Sequence, residues 1–295
     1  MNNGALPIAA VATPMFQPRS PAFWVYCLAL VGGTYATAAM AINGWRVMPV
    51  SVLAGLAAWV LYTLPLLWLF RRLGVFRGQT ASVFVMAFAW GGLGAVYLAL
   101  PANQAVFGIL SKLVGPAFAH HWGPAIAGPS DEEPLKLIGV ILLVLMAPAR
   151  FRSITSVMAV GALVGLGFQV VEDFFYTVSG AVNHPNADQL EPVTQMIVLR
   201  GLFCGLWSHA AYTTVASFGV GYFVARRNEP LAKRWLVAVA AFAVAWSLHA
   251  FWNSPLLTEM TRSIWVLAYF PLKGVPVLLA VYLLSRVARS ERAAA

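Results

Sequence analysis

The sequence predicts an all-α, polytopic membrane protein of about eight transmembrane helices with both termini cytoplasmic. Three observations carry that prediction. Of the 295 residues, 60% are apolar and 10% charged, with a mean hydropathy of +0.76, whereas a soluble domain has roughly 45–50% and about 25%. The apolar residues gather in stretches near the ~20 residues that a membrane helix needs. Lys and Arg concentrate in alternate loops, as cytoplasmic loops do. A chain that can hardly cover itself with charge uses lipid as part of its solvent, which excludes a soluble domain, a disordered chain and a collagen. Cys27 and Cys204 both lie in apolar runs, so neither a disulfide framework nor a cysteine-based metal site is expected.

The eight stretches are Ala22–Ile42, Pro49–Phe70, Thr80–Leu100, Glu132–Pro148, Ile154–Ala181, Thr194–Val224, Trp235–Leu256 and Ser263–Ser285. The fifth and sixth are long enough to tilt or to project beyond the bilayer. Arg19, Arg71, Arg72, Arg77, Arg150, Arg152, Arg226, Arg227, Lys233, Arg234, Arg286, Arg289 and Arg292 all fall on one side of this threading, while the opposite loops hold Arg46, Lys112 and Arg262. The net charge of +9 therefore reports membrane orientation, and no nucleic-acid partner is expected. Residues 1–20 read as a cytoplasmic tail without the charged start and short apolar core of a cleavable signal, so the first span stays as an anchor. Residues 21–290 read as a single helical membrane domain, with a catalytic core at about 131–254. Between spans 3 and 4, the run from Ala105 to Phe118 has apolar residues at helical spacing and is expected to lie in the outer interface.

An ionisable group at bilayer depth is costly and by default marks a functional site. In span 4, Ser130-Asp131-Glu132-Glu133-Pro134-Leu135-Lys136 reads as a helix start, with Ser130 or Asp131 as cap, Pro134 in the first turn, and both glutamates at the positive end of the helix dipole. Lys136 then shares a face with Glu132 and Glu133. Span 5 carries Glu172 and Asp173 near its far end, with Gly165 and Gly167 below them. Span 6 carries His209, with Thr213 one turn on to orient its ring and Arg200 placed to pair with an acid of the site. In span 7, His249 and Asn253 project from one face and can supply a metal ligand with a donor, or two donors for an oxyanion. His120, His121 and His184 read as solvated loop residues, and Lys273 as a buried cation that neutralises an acid. Four helices thus bring carboxylates or imidazoles to the outer half of the bilayer, which favours one shared site.

These runs, in this order, resemble the PrsW family of intramembrane proteases, related to the CAAX-protease and bacteriocin-immunity group. The matching pieces are Glu132-Glu133-Pro134-Leu135-Lys136 for EExxK, Gly167 to Glu172 for GFxxxE, His209 with Thr213 and the following glycines, and His249-Ala250-Phe251-Trp252-Asn253 for HxxWN. Asp173 departs from the Asn expected beside Glu172. The resemblance implies an intramembrane endopeptidase that cleaves a membrane-anchored protein or peptide, with Glu132, Glu133, Lys136, Glu172, His209, His249 and Asn253 in its catalytic site. Glu132 or Glu133 is the expected general base, Glu132 preferred. His209, His249 and Glu172 are expected either to ligate zinc or, in a metal-free glutamate protease, to act as partner of the base and oxyanion donors. A proton-coupled transporter and a non-catalytic membrane scaffold are the other classes that the same residues allow.

Overall fold

The structure, a computed structural model, describes residues 14–72, 74, 79–184, 188–205, 208–256 and 266–294. Of the residues singled out above, Arg77, Arg262 and the start of the eighth stretch lie outside the described residues, as does most of the N-terminal tail. Among the described residues all regular structure is helical: α1 (Pro21–Val47), α2 (Pro49–Arg72), α3 (Ala81–Leu113), α4 (Pro116–Met146), α5 (Ile154–Val182), α6 (Glu191–Met196), α7 (His209–Ala225), α8 (Leu231–Asn253) and α9 (Val266–Ala294). Two stretches widen into π-helix, Trp90–Ala95 inside α3 and Ile197–Cys204 after α6.

Six helical segments are long and apolar enough to cross a membrane: α1, α2, α3, α5, α8 and Pro271–Glu291 of α9. The other two expected spans fall short for visible reasons. α4 carries Asp131, Glu132, Glu133 and Lys136 in its middle, and the sixth stretch is not one helix. Gly205 is still helical (φ −65, ψ −25), but Ser208 takes a non-helical backbone (φ −100, ψ −128) and interrupts the stretch before α7. Ser208 then donates to Gln169 Oε1 at 3.1 Å, and α7 begins at His209 itself.

Two local expectations are corrected around the loop between α3 and α4. No interfacial helix forms over Ala105–Phe118: α3 continues through Pro101 to Leu113, and the chain turns at Gly115, whose φ of +108 suits only glycine. α4 therefore starts at Pro116, not beside Glu132, so Ser130 and Asp131 cap nothing, and Pro134 lies inside the helix with Pro124 and Pro129. Tertiary packing overrides the local start signal. The helix is held on one side by α3, where Phe107 covers Gly123, and on another by α8.

α5 is the most buried span, with 83% of its most apolar window inside the protein. Helices associate in lipid by close packing, and glycines permit it here. A Cβ on Gly161 would run into Ser217 of α7, one on Gly165 into the His209 carbonyl, and one on Gly167 into the Phe88 carbonyl of α3. The Trp90 indole occupies the space that a Cβ on Gly139 of α4 would need, and its N–H donates to the Leu135 carbonyl at 3.0 Å.

The ends of the bundle sort as the basic residues suggested. Gln79 donates to the Arg150 carbonyl and Arg226 pairs with Glu291, so the α2–α3, α4–α5 and α7–α8 connections and the end of α9 belong to one end. At the opposite end Ser51 donates to the Gln189 carbonyl at 2.6 Å. At 1.5 Å per residue, Glu132, Glu172, His209 and His249 all lie about 21–27 Å from the basic end along their own helices.

Candidate active site

Lys136, fully buried, is the hub of the cluster. Its Nζ donates to Glu133 Oε1 at 2.5 Å and to His209 Nδ1 at 2.9 Å, lies 3.9 Å from Glu132 Oε2, and sits 4.6 Å over the Phe168 ring. Glu133 Oε1 also meets His249 Nδ1 at 2.8 Å, which makes that ring nitrogen the N–H donor and leaves Nε2 with its lone pair. The His209 ring is fixed in the same manner, its Nε2 3.2 Å from Glu172 Oε2. Glu172 and Asp173 are both held by the Arg200 guanidinium, which also stacks 4.0 Å over Tyr176. The two imidazoles lie 5.1 Å apart, edge to face, and Tyr212 stacks on His249 at 5.0 Å. Every one of these ion pairs is largely withdrawn from solvent, the arrangement in which opposite charges must be matched group by group.

A cavity of about 360 Å³ opens onto this cluster, between the second half of α3, the first half of α4 and the far end of α8. Glu132, Glu172, His209, His249, Asn253 and Arg200 all line it. Glu133 and Lys136 stand behind them, each 0% exposed. Six of the seven predicted site residues, all except Asn253, are thus tied together by hydrogen bonds or ion pairs, and Asn253 faces the same cavity while donating to the Pro124 carbonyl at 3.0 Å. The extra charge of Asp173 is answered by Arg200. Thr213 does not orient His209, since its hydroxyl makes no hydrogen bond. Glu172 and Lys136 hold the ring instead. His120 and His121 are exposed on α4, and Lys273 donates to the Trp252 carbonyl at the end of α8 while lying 4.9 Å over the Trp252 ring.

Sequence reasoning missed Asn103, which donates to Glu132 Oε1 at 3.0 Å, and Tyr212. Asn103 had a signal. It is a polar residue at helical register with the apolar positions of α3, in a stretch between the third and fourth spans that reads as too polar to cross the membrane as a whole.

Among the described residues one group of donors can meet on a single metal ion: Glu132, His209 and His249, whose atoms lie within 4.8 Å of one another. Glu132 Oε2, buried and without a hydrogen-bond partner, stands 3.7 Å from His209 Nδ1 and 4.0 Å from His249 Nε2. Both imidazoles give their other N–H to a carboxylate, as ligating histidines do. Glu172 takes that supporting part for His209 and is not in the group. Two of the three donor atoms are open. The third, His209 Nδ1, would have to be released by Lys136, which keeps Glu133 as its partner. The donor set fits a metal.

Fold and site define a multi-pass helical membrane protein with a buried, metal-competent centre of two imidazoles and a carboxylate. The family model described as PrsW family intramembrane metalloprotease matches residues 79–286, from the approach to α3 into α9, and the chain belongs to that family. It is a membrane peptidase, and its match extends well beyond the motifs of α4, α5, α7 and α8. No curated protein and no solved structure matches the chain.

Proposed function

We propose that the protein is an endopeptidase that hydrolyses a peptide bond of a membrane-anchored protein, using water deprotonated by Glu132. The observation that carries this reading is the orientation of Glu132. Of the two adjacent glutamates it lines the cavity, with one oxygen toward the imidazole pair and the other held by Asn103, whereas Glu133 is enclosed by Lys136 and His249.

In this mechanism the extended substrate backbone enters the cavity beside Glu132. The water oxygen bonds to the scissile carbonyl carbon as its proton passes to Glu132. As the C–N bond breaks, the same proton goes to the leaving amine. Charge on the substrate oxygen develops near the fixed cations Arg200 and Lys136, in a site from which bulk water is largely excluded. Glu133 and Glu172 do no proton transfer. They hold His249 and His209 in single tautomers. The ion proposed for this site is zinc, which the His209 and His249 imidazoles would hold with open positions beside them and which, when bound, would make water more acidic, while Glu132 keeps its carboxylate for the proton.

By the asymmetry of basic residues, the end bearing Arg150 and Arg226 is cytoplasmic. The site then lies toward the non-cytoplasmic face, and substrates reach it from that side or laterally from lipid. The test is cleavage of membrane-anchored reporter peptides by the purified protein in liposomes. Glu132→Gln and His249→Ala are expected to lose at least about 100-fold in kcat/KM. A chelator should abolish cleavage by the unaltered protein, and zinc should restore it. Undiminished cleavage in either variant would overturn the assignment, and full activity in protein assayed free of metal would remove the zinc.

A further inference from the structure

Gln169 is buried on α5, 1% exposed, one turn before Glu172 and on the same face of that helix. Its amide reaches both sides of the interruption that precedes α7. On one side Oε1 accepts from Ser208 at 3.1 Å. On the other, Nε2 donates at 3.1 Å to the hydroxyl of Tyr62 on α2, which in turn donates at 3.1 Å to the carbonyl of Gly201 in the π-helical segment. The direction of this chain is set from its far end. A carbonyl can only accept, so the Tyr62 proton goes to Gly201, the Tyr62 oxygen accepts from the Gln169 N–H, and Oε1 is left facing Ser208. The fit is close, since a Cβ on Gly205 would collide with both the Tyr62 oxygen and Gln169 Nε2. Glu172 repeats the pattern one turn further along α5, where it holds Arg200 of the π-helical segment and His209 of α7.

We propose that Gln169 and Tyr62 are positioning residues that clamp the two halves of the interrupted stretch at one spacing, so that Arg200 from one half and His209 from the other both reach Glu172. Backbone groups released at bilayer depth must be satisfied inside the protein, and the Gly201 carbonyl is satisfied by Tyr62. Tyr62 has a fixed base for this. Trp59, one turn before it, donates to Thr177 of α5 at 2.9 Å and so docks α2 onto α5. An amide suits the joint because it offers a donor and an acceptor side by side. Neither Gln169 nor Tyr62 is among the residues that line the cavity, so both act through Arg200 and His209. The effect on cleavage rests on the peptidase reading; the clamp itself does not.

The test reads reporter cleavage, zinc affinity and melting temperature of the full-length protein in Tyr62→Phe, Ser208→Ala, Gln169→Met, and Gln169→Met combined with each of the other two. Tyr62→Phe cuts the arm to the π-helical segment, Ser208→Ala the arm to α7, and Gln169→Met both. Each single variant is expected to lose more than about tenfold in kcat with KM within about twofold, since a misplacement of about 1 Å can cost about 100-fold. Gln169→Met should also bind zinc about tenfold more weakly, through the displaced His209. In the Gln169→Met background the other two substitutions should each add less than about twofold, because the arms they cut are already gone. Thr177→Val is the control. It breaks the Trp59 bond between the same two helices, and should lower melting while leaving kcat and zinc affinity within about twofold. Full additivity of the losses in kcat or in melting would overturn the clamp, as would wild-type kcat in Gln169→Met or an equal loss of kcat in Thr177→Val. If the unaltered protein cleaves no membrane-anchored peptide, the peptidase reading falls and the additivity of the melting losses alone decides the clamp.

Discussion

Replacing Lys136 by Met tests whether the buried charges of the site are matched as a unit. Lys136 is the cation between Glu133 at 2.5 Å, Glu132 at 3.9 Å and the His209 ring at 2.9 Å, and it is fully enclosed. Two unit charges about 4 Å apart attract by roughly 4 kcal/mol at an effective dielectric constant near 20. Removing one member of a buried pair costs about 3–5 kcal/mol, because its partner is left charged and unpaired. Lys136→Met should therefore destabilise the protein by about 3–5 kcal/mol, a fall in Tm on the order of 10 °C. Glu133→Gln, which removes the anion that Lys136 contacts most closely, should be damaging alone. The double variant Lys136→Met/Glu133→Gln removes both charges and should be more stable than the sum of the single losses predicts, by about 2 kcal/mol or more. Neither the single nor the double variants should cleave substrate, since His249 loses its oriented acceptor or His209 its neighbouring cation. The assay is thermal unfolding in detergent together with reporter cleavage. Strict additivity of the two losses would refute the idea that the cluster is one charge-balanced unit.

Gly165→Ala should cost about 1–3 kcal/mol by pushing α7 away from α5, and should lower cleavage more than tenfold because the displaced backbone is that of His209. Gly180→Ala, whose Cβ would meet only the Met196 methyl at 3.8 Å, is the control and should be neutral in both melting and cleavage. Arg200→Ala should be worse than Asp173→Asn, since it strands two carboxylates, by about 3–5 kcal/mol. Asp173→Asn added to Arg200→Ala should recover part of that loss in melting experiments, and no recovery would show that Asp173 is neutral in the folded protein.

Much of this site was legible because charge is scarce in the chain. Glu132, Glu172, His209 and His249 stand out in apolar helices, and counting residues from the basic loops already put them at one depth. Their partners within a helix were legible too, Lys136 from its spacing to the two glutamates. What was not legible depends on contacts between helices. The start of α4 was misplaced because Ser130, Asp131 and Pro134 form a persuasive local start signal, yet packing against α3 and α8 carries the helix on from Pro116. The break before His209 is not legible in the apolar run, since it falls at Ser208, whose hydroxyl reaches Gln169 of α5. Asn103 was lost with the loop to which it had been assigned. The supporting part played by Glu172 needed the tautomer of His209, and so the positions of two other helices.

The bond from Lys273 to the Trp252 carbonyl also bears on how such a protein is made. Every group of the proposed mechanism has been translated by Asn253, but the end of α8 that carries His249 and Asn253 is tied down by a residue of α9. A nascent chain emerging into the bilayer thus holds all the reagents before it holds them in place. A chain that ends before Lys273 is therefore expected to cleave less than the full-length protein although it holds every reagent.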